Sequence, residues 1–378
     1  MRILLLYEYF NHNQLLDNLG KEIAKTNNFV SSFNIVKFRY TNYNKENKPI
    51  WILLLHILIA IPKVRGGLLR WIRKWTILKL ADSYNIIDIH YFSVFYDELI
   101  PILKARGKKI KITVWGSDFY RVDQKRKEEQ RLLYRQVDII QLETEQVKDQ
   151  FLQDFPEFKA KIRIAHFGNI QLTHLDKVLN DNCKMECKQN IGIPLDKLVI
   201  TCGTNGSIGH QHELLLNKIS ELPQQLKDNI FLLIPMNYGG SAEYIKLVIK
   251  KASKLNIPYK VITGFMSTKE FSNYIIASDI IITIQISDTF SAAIQEYLFA
   301  SNVLLAGKWL PYQVFTDNNV YFKIVDLENL EDTLKDTILS VDRYRQLGVN
   351  NPVNIFKLSS WSGVIENWLS IYNEIKIA

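Results

Sequence analysis

The sequence predicts an α/β protein made of two Rossmann-like domains. Short runs rich in Ile, Val and Leu alternate with longer segments of helical period, a pattern typical of parallel sheets wrapped by helices. The length of 378 residues exceeds that of an ordinary single domain, and a hydrophobic content of 47% is enough for two buried cores. Because the alternation continues on both sides of a polar central stretch, we expect two consecutive units of similar size.

Apolar runs of strand length occur in both halves of the chain. In the first half we predict strands over residues 2–7, 34–38, 86–90, 110–115, 139–142 and 162–165. In the second half we predict strands over residues 198–202, 230–235, 259–262, 280–284, 303–305 and 321–324. Ligands of open parallel sheets bind beyond the carboxyl ends of the strands, so the loops after these runs form the candidate site.

The domain boundaries follow from composition. We predict a first domain over 1–175, a polar linker over 176–196 that ends in Gly-Ile-Pro-Leu-Asp, and a second domain over 197–351. The last segment, 352–378, carries tryptophans and aliphatic residues at helical spacing, and we expect it to pack back across the domain boundary.

The positive charge of the chain lies in its first half. Residues 1–175 contain 28 basic and 18 acidic side chains, whereas residues 176–378 contain 19 and 21. This composition excludes collagen-like, low-complexity and strongly acidic disordered chains. A basic half predicts an anionic partner, which could be nucleic acid, a phosphorylated substrate or a membrane surface.

The cysteines and the apolar runs favour a cytoplasmic protein. Three cysteines make a disulfide framework improbable, and Cys183 and Cys187 lack the companions of a metal site, so we expect no bound metal. The N-terminal apolar run is too short for a signal peptide. The longest apolar run, 50–62, has 13 residues, whereas a membrane-spanning helix needs about 20.

A basic cluster follows that apolar run. No acidic residue occurs between Glu46 and Asp82, and tryptophans are interspersed with lysines and arginines. This pattern is typical of a segment that lies on an anionic membrane surface. A core helix followed by a solvated basic helix is the alternative, and nucleic-acid binding has no recognised motif here. The candidate membrane contacts are Trp51, Arg70, Trp71, Arg73 and Lys74.

A glycine-rich loop follows the predicted strand 198–202. The stretch 203–212 (GTNGSIGHQH) combines three glycines, small polar residues and a following helix, which suits a phosphate group that needs backbone N–H donors. It is neither a Walker A motif nor the dinucleotide fingerprint, and an ordinary glycine-tolerant turn is an equal alternative. The candidate ligands are Gly203, Asn205, Gly206, Ser207, His210 and His212.

A second polar loop follows strand 280–284 and also leads into a helix. The helix N-terminus offers backbone N–H groups to an anion, and Glu296 lies one to two turns inside, where it could accept hydrogen bonds from a ribose. A solvent-facing helix charge is the alternative for Glu296. The candidates here are Asp288, Thr289, Phe290, Ser291 and Glu296. Two strand ends lie between the two loops: Met236 is a further candidate for donor binding, and Gly264 and Phe265 are candidate contacts to a nucleobase.

In the first half, three side chains follow strands and could act as a general base. His90 and Asp118 lie at the carboxyl ends of what should be neighbouring central strands, and Glu8 lies at the same end of the sheet, after the first strand. Asp118 could instead cap the next helix, and His90 could be a core histidine.

Taken together, these motifs resemble those of the GT-B glycosyltransferases. The stretch 115–118 (WGSD) is similar to a strand-end signature of bacterial members, and 203–212 and 234–238 (IPMNY) are similar to loops of the family that transfers 4-acetamido-4,6-dideoxygalactose in enterobacterial common antigen synthesis. The resemblance implies two Rossmann-like domains facing each other across a cleft, with the acceptor in the first and the nucleotide sugar in the second.

The resemblance also implies a function. We expect metal-independent transfer of a sugar from a nucleoside diphosphate to a lipid-linked or cell-surface glycan, at the inner face of the cell membrane and without nucleic acid or cofactor. Family-four-like members carry two glutamates separated by seven residues; here Asp288 takes the first place and Glu296 the second. An epimerase or phosphorylase of the same fold is the alternative, while a periplasmic binding protein would need a secretion signal.

Overall fold

The computed structural model describes residues 1–7, 13–34, 62–264 and 266–377. The chain divides into two compact units. Unit 1 comprises Met1–Phe167 and Ile365–Ala378, and unit 2 comprises Gly168–Val364. Each unit contains one six-stranded parallel sheet covered by helices.

Unit 1 has the strand order β2-β1-β3-β4-β5-β6. The strand Arg2–Tyr7 is a continuous buried apolar run from Ile3 onward, as expected for a parallel strand that is covered on both faces. The strands are β1 (Arg2–Tyr7), β2 (Phe29–Asn34), β3 (Ile86–His90), β4 (Lys109–Thr113), β5 (Ile139–Leu142) and β6 (Ile162–Ile164). The helices are α1 (Asn13–Ala24), α2 (Pro62–Ala81), α3 (Ile100–Ala105), α4 (Ser117–Tyr120), α5 (Gln124–Gln136) and α6 (Glu145–Asp154).

Unit 2 has the strand order β12-β11-β10-β7-β8-β9. The strands are β7 (Leu198–Cys202), β8 (Ile230–Pro235), β9 (Tyr259–Ile262), β10 (Ile280–Thr283), β11 (Val303–Gly307) and β12 (Lys323–Val325). The helices are α7 (Gln171–Asp181), α8 (Lys184–Asn190), α9 (His212–Ser220), α10 (Gln224–Lys227), α11 (Ala242–Ala252), α12 (Thr268–Ala277), α13 (Ala292–Phe299), α14 (Gln313–Asp317), α15 (Leu330–Leu339), α16 (Val341–Leu347) and α17 (Asn351–Ser359).

The order of strands in unit 2 reverses beside β7. The chain moves outward from β7 through β8 to β9, and then returns to place β10 on the other side of β7. The loops that follow β7 and β10 therefore diverge at a topological switch point, which is where open α/β sheets bind their ligands.

Most predicted strands agree with the structure to within two residues at each end. The second strand differs: it covers Phe29–Asn34 rather than 34–38, and residues 35–38 lie outside the described part of the chain. The stretch 176–196 also differs from the predicted linker, since it contains the end of α7 and all of α8. Leu172, Leu175 and Val178 recur at helical spacing and join the apolar core of unit 2, which explains the difference.

The last helix, α18 (Trp361–Ile377), belongs to unit 1 from Ile365 onward. Trp368 and Tyr372 are fully buried, and the Trp368 indole donates a hydrogen bond to the His166 carbonyl at 2.9 Å. The C-terminal residues therefore form part of the core of unit 1.

Candidate functional site

The switch point of unit 2 is built by two loops whose backbones are joined. Gly203 directly follows β7 and has a φ of +71°, a conformation that glycine adopts without strain. Its N–H donates to the Ile282 carbonyl of β10 at 3.0 Å, and the Ile286 N–H donates to the Gly209 carbonyl at 2.9 Å. The two predicted phosphate loops are thus neighbours.

The glycines of the loops after β7 and β8 allow a close approach of two backbones. A Cβ atom on Gly240 would lie 2.6 Å from the Gly206 carbonyl oxygen, and one on Gly206 would lie 3.1 Å from the Gly240 nitrogen. The Gly206 N–H also donates to the Tyr238 carbonyl at 2.8 Å. Any larger residue at Gly206 or Gly240 would push the two loops apart. The close packing of the loops therefore requires glycine at both positions, whether or not a ligand binds there.

Asn205 and Ser207 shape the same loop. The Asn205 side-chain oxygen accepts from the Ser207 N–H at 2.9 Å, and the Ser207 hydroxyl accepts from the Gly209 N–H at 3.3 Å. The Asn205 amide nitrogen faces the Tyr238 hydroxyl at 3.4 Å. Burial raises the pKa of Tyr238, as do the charges of Glu296 and Asp288, while the hydrogen bond from Asn205 opposes them. Side chains from the ends of β7, β8 and β10 are therefore brought together.

The two predicted histidines lie against the glycine loop. His212 is fully buried, with Nδ1 3.3 Å from the Tyr244 hydroxyl, and burial lowers its pKa to about 4. Its Nε2 would lie 3.0 Å from a Cβ atom on Gly203, so the neutral ring supports the backbone there. His210 is 5% exposed, and its ring centroid lies 5.9 Å from that of His212.

Asp288 is held by a group of side chains from the ends of β10 and β11. The Tyr312 hydroxyl donates to its carboxylate, and the Gln285 amide lies 3.3 Å from the Tyr312 oxygen. The Trp309 indole donates to the Gln285 carbonyl at 2.7 Å. Burial raises the pKa of Asp288, and the hydrogen bonds oppose that rise.

The N-terminus of α13 follows this loop. Ser291 is the N-cap, and its hydroxyl accepts from the Ile294 N–H at 3.4 Å. Thr289 is half-buried, whereas Phe290 is buried and packs on Phe315 with ring centroids 5.5 Å apart. Phe290 thus anchors the loop in the core, and Thr289 and Ser291 are the more accessible candidates.

Glu296 is a buried carboxylate on α13. It is 9% exposed, and its Oε1 accepts a hydrogen bond from the Asn169 side chain at 3.1 Å. Burial raises the pKa of Glu296 to about 7, although the hydrogen bond from Asn169 lowers it. The alternative interpretation of Glu296 as a solvent-facing charge on the helix is therefore wrong. A buried, raised-pKa carboxylate behind a glycine-rich switch point is typical of a functional site.

Of the three remaining donor-binding candidates, Met236 and Gly264 lie within the described residues. Met236 is 1% exposed and its side chain belongs to the apolar core, because it continues the buried pattern of β8. Met236 therefore contributes packing rather than an accessible surface. Gly264 is exposed with no heavy atom near the position of a Cβ, and Phe265 lies outside the described residues.

In unit 1, His90 belongs to a buried ionic cluster. Asp88 and Lys111 face each other in register on β3 and β4, and Lys111 Nζ lies 2.7 Å from Asp88 Oδ2. The Tyr372 hydroxyl donates to the same oxygen at 2.6 Å. His90 Nε2 lies 3.2 Å from it, and the ring stacks on Trp368. Burial lowers the pKa of His90, which supports the core-histidine alternative.

Asp118 fastens the loops that follow β3 and β4. Its two oxygens accept from the backbone N–H groups of Phe92 at 3.0 Å and Trp115 at 2.8 Å. Burial raises the pKa of Asp118 to about 6, and these backbone donors oppose the rise. These two contacts give Asp118 a structural role in joining the loops, and its use as a general base stays a prediction. Glu8 lies outside the described residues.

Four of the predicted membrane contacts, Arg70, Trp71, Arg73 and Lys74, lie on helix α2. Trp51 and residues 50–61 of the apolar run lie outside the described residues. Trp71 is 61% exposed, one helical turn before Trp75, which is 52% exposed. Arg70 and Lys74 lie 2.7 Å and 3.9 Å from the carboxylate of Glu98. Arg73 is half-buried. Across the four described ranges, no helix is long and apolar enough to cross a membrane.

Three contributors to the unit 2 site were not predicted from sequence. Asn169 lies far from Glu296 along the chain, Tyr312 follows a different strand from Asp288, and Gly240 contacts a loop over 30 residues away. Within the part of the chain that the structure describes, no group of three or more His, Cys, Asp or Glu could hold a metal ion.

No protein-family model matches the sequence, and no curated protein matches it. Solved structures do match over the whole chain. HepE of Anabaena, in complex with UDP and glucose, has a TM-score of 0.71 at 12% identity and covers 99% of this chain and 100% of its own. Sucrose-phosphate synthase from Thermosynechococcus elongatus has a TM-score of 0.70 at 14% identity, with 99% of each chain covered. A glycosyltransferase from Rickettsia africae has a TM-score of 0.69 at 16% identity, with 99% and 98% covered.

At these identities the similarity shows the fold. The chain has two parallel sheets with the Rossmann-like arrangement of the GT-B glycosyltransferases. The predicted α/β class with two Rossmann-like domains is therefore confirmed.

Proposed function

We propose that this protein is a metal-independent glycosyltransferase that uses a nucleoside-diphosphate sugar. The observation that carries the proposal is the switch point of unit 2, where the glycine-rich loop after β7 is hydrogen-bonded to the end of β10 and to the loop after it, and where that second loop leads into α13, the helix that carries the buried Glu296. The N–H groups at a helix N-terminus suit a diphosphate, and a carboxylate suits a pentose. HepE, whose fold is similar, was solved with UDP and glucose.

In this reaction the acceptor hydroxyl oxygen bonds to C1 of the sugar as the bond from C1 to the diphosphate oxygen breaks. The proton of the hydroxyl passes to a base, and the nucleoside diphosphate leaves. Helix N-termini and side-chain donors stabilise the negative charge on the leaving group without a metal. The proposed diphosphate contacts are Asn205, Ser207, His210, Thr289 and Ser291. Gly203 and Gly206 donate their own N–H groups to the Ile282 and Tyr238 carbonyls, so their proposed part is to let the diphosphate approach the backbone closely.

A thermal-shift screen tests the donor proposal. The protein would be heated with UDP, GDP, ADP, CDP and dTDP, and with nucleotide sugars that include one carrying 4-acetamido-4,6-dideoxygalactose. A ligand at 100 times its Kd stabilises the folded state by about 2.7 kcal/mol. We expect at least one nucleoside diphosphate to raise the Tm, and a flat response to all of them would contradict the proposal.

We further propose that the acceptor is lipid-linked or part of a cell-surface glycan, as in capsule or O-antigen synthesis, and that α2 holds the enzyme on the inner face of the membrane. Exposed Trp71 and Trp75 share one face of α2, and Lys79 Nζ lies 5.2 Å from the Trp75 ring. Interfacial tryptophans beside cations fit an anionic lipid surface.

Liposome co-sedimentation tests this second part. Neutralising Arg70, Arg73 and Lys74 with glutamine should release the protein from phosphatidylserine liposomes, as should alanine at Trp71 and Trp75. The matched control changes the exposed Lys246, Lys250 and Lys254 of unit 2, which removes the same charge elsewhere. Equal binding of all variants would contradict the membrane proposal and leave the donor proposal intact.

A further inference from the structure

Asn169 is a buried side chain at the start of unit 2. It follows Gly168, where a Cβ atom would lie 2.3 Å from the ring of Trp361, so the backbone is tightly held there. The Asn169 N–H donates to the Ser359 carbonyl at 2.7 Å. Asn169 itself is 7% exposed. Its position is therefore fixed before any ligand binds.

The hydrogen bonds of Asn169 also fix which way its amide points. Its oxygen accepts from the Gln171 N–H at 2.9 Å. Its nitrogen lies 3.1 Å from the Ala292 carbonyl and 3.1 Å from Glu296 Oε1, both of which can only accept, provided that the glutamate is ionised. In the reverse orientation the Asn169 amide oxygen would face two other acceptors, the Ala292 carbonyl and Glu296 Oε1. Asn169 thus presents one N–H to the helix and one to the carboxylate.

The second carboxylate oxygen of Glu296, Oε2, lacks the kind of hydrogen bond that holds Oε1 in the part of the chain that the structure describes. In the described ranges no hydrogen bond reaches Oε2, although the residue is 9% exposed. Within the described ranges, the titratable groups whose pKa values respond to the charge of this carboxylate are the hydroxyls of Tyr297, which is fully buried, and Tyr238, which is 60% exposed. The pKa of each is raised, so both hydroxyls are neutral at physiological pH. A buried carboxylate with one oxygen held and one open is prepared to accept hydrogen bonds from a ligand.

We propose that Asn169 is a positioning residue for the sugar donor: it holds Oε1 of Glu296 so that Oε2 accepts from the pentose hydroxyls of a nucleoside diphosphate. This inference rests on the proposed function. Asn169 acts through Glu296 and touches no ligand itself. Its effect must therefore disappear for a nucleotide that has no pentose hydroxyls.

Calorimetric titration can measure that dependence. The nucleoside diphosphate that the wild-type protein binds best would be compared with its 2′,3′-dideoxy counterpart, using wild type, Asn169→Ala and Asn169→Asp. We expect Asn169→Ala to weaken the intact nucleotide by about 10-fold and the dideoxy nucleotide by less than about 2-fold. Asn169→Asp keeps the size of the side chain but adds a carboxylate, so it should weaken the intact nucleotide at least as much.

Gln171→Ala is the matched control. Gln171 is in the same segment, but its amide bonds Thr268 and Ser272 on α12 instead of Glu296. This variant should bind both nucleotides as the wild type does. Equal losses for the intact and dideoxy nucleotides in the Asn169 variants, or no loss, would overturn the inference and leave the proposed function standing. Failure of the wild type to bind any nucleoside diphosphate would overturn both.

A pH series gives a readout that a purely structural role would not move. Affinity for the intact nucleotide should fall as the pH drops through the pKa of Glu296, because a protonated carboxyl accepts less well. Asn169→Ala should move that midpoint to higher pH, since burial raises the pKa of Glu296 and the lost hydrogen bond opposed it. The dideoxy nucleotide corrects for protonation of the diphosphate, and an unmoved midpoint would contradict the inference.

Discussion

Asp88 in unit 1 and Glu296 in unit 2 are both buried carboxylates, but their surroundings drive their pKa values in opposite directions. Asp88 contacts Lys111, Tyr372 and Thr113, with donors 2.6–3.1 Å from its oxygens. Burial raises its pKa, but His90 and Lys111 outweigh that effect and hold the pKa well below its ordinary value. For Glu296 burial dominates, and the pKa rises to about 7.

The difference separates a structural cluster from a ligand site. A carboxylate with a cation and several donors has its charge compensated by the protein, so removing one partner is costly while the intact cluster leaves little for a ligand to satisfy. A carboxylate with one donor keeps an uncompensated charge that a ligand can satisfy. Burial of an acidic side chain alone therefore does not indicate function, whereas incomplete satisfaction of a buried one does.

The largest expected effect comes from breaking the cluster in unit 1. Lys111→Met leaves the Asp88 charge buried without its cation, and we expect a loss of about 3–5 kcal/mol in the free energy of unfolding. Calorimetric unfolding would measure it. The control is the double variant Asp88→Leu with Lys111→Met, which should recover much of the loss because two apolar side chains need no compensation. A single variant as stable as wild type would contradict this description of the cluster.

Removing the charge of Glu296 should act in the opposite direction. Because its folded-state pKa is raised, stability falls as the pH rises from about 4.5 to about 7 and stays reduced above that range. Glu296→Gln should therefore stabilise the protein by up to about 3 kcal/mol at pH 8 and by almost nothing at pH 4. Thermal unfolding at both pH values would measure this. A loss of stability at pH 8 would show that the charge is compensated after all.

The smallest expected difference in stability between the two regions comes from removing one tyrosine hydroxyl in each. Tyr372→Phe removes a hydrogen bond to the fully buried Asp88, and we expect it to lower the free energy of unfolding by about 2 kcal/mol. Tyr312→Phe removes a hydrogen bond to the half-buried Asp288, which keeps other donors, so its cost should stay below about 1 kcal/mol. Urea unfolding of the pair would compare them, and the reverse order would contradict the distinction between the two regions.

The fold class could be predicted from sequence, and so could the position of the candidate site at the carboxyl ends of the strands, because both depend on local patterns. Buried parallel strands appear as short apolar runs, and the glycine-rich stretch after β7 follows its strand directly. Met236 was misread because its strand-end position suggested a ligand contact, whereas it completes the buried pattern of β8.

The partners of the site residues could not be predicted, because they depend on the register and the folding back of the chain. The pair Asp88 and Lys111 needs the alignment of β3 with β4. Asn169 falls inside the predicted first domain, 1–175, whereas Glu296 falls inside the predicted second domain, 197–351. Nothing local connects it to Glu296, and only the placement of α13 brings the two together.

Calorimetric titration of nucleoside diphosphates at pH 8, with wild type beside Glu296→Gln, tests the central claim most directly. The glutamine keeps the side-chain shape and the hydrogen bond from Asn169 but removes the charge. We expect the wild type to bind at least one nucleoside diphosphate and the variant to bind it about 10- to 100-fold more weakly while unfolding at the same or a higher temperature. Undiminished affinity in the variant, or no binding by the wild type, would contradict a donor site at the switch point of unit 2.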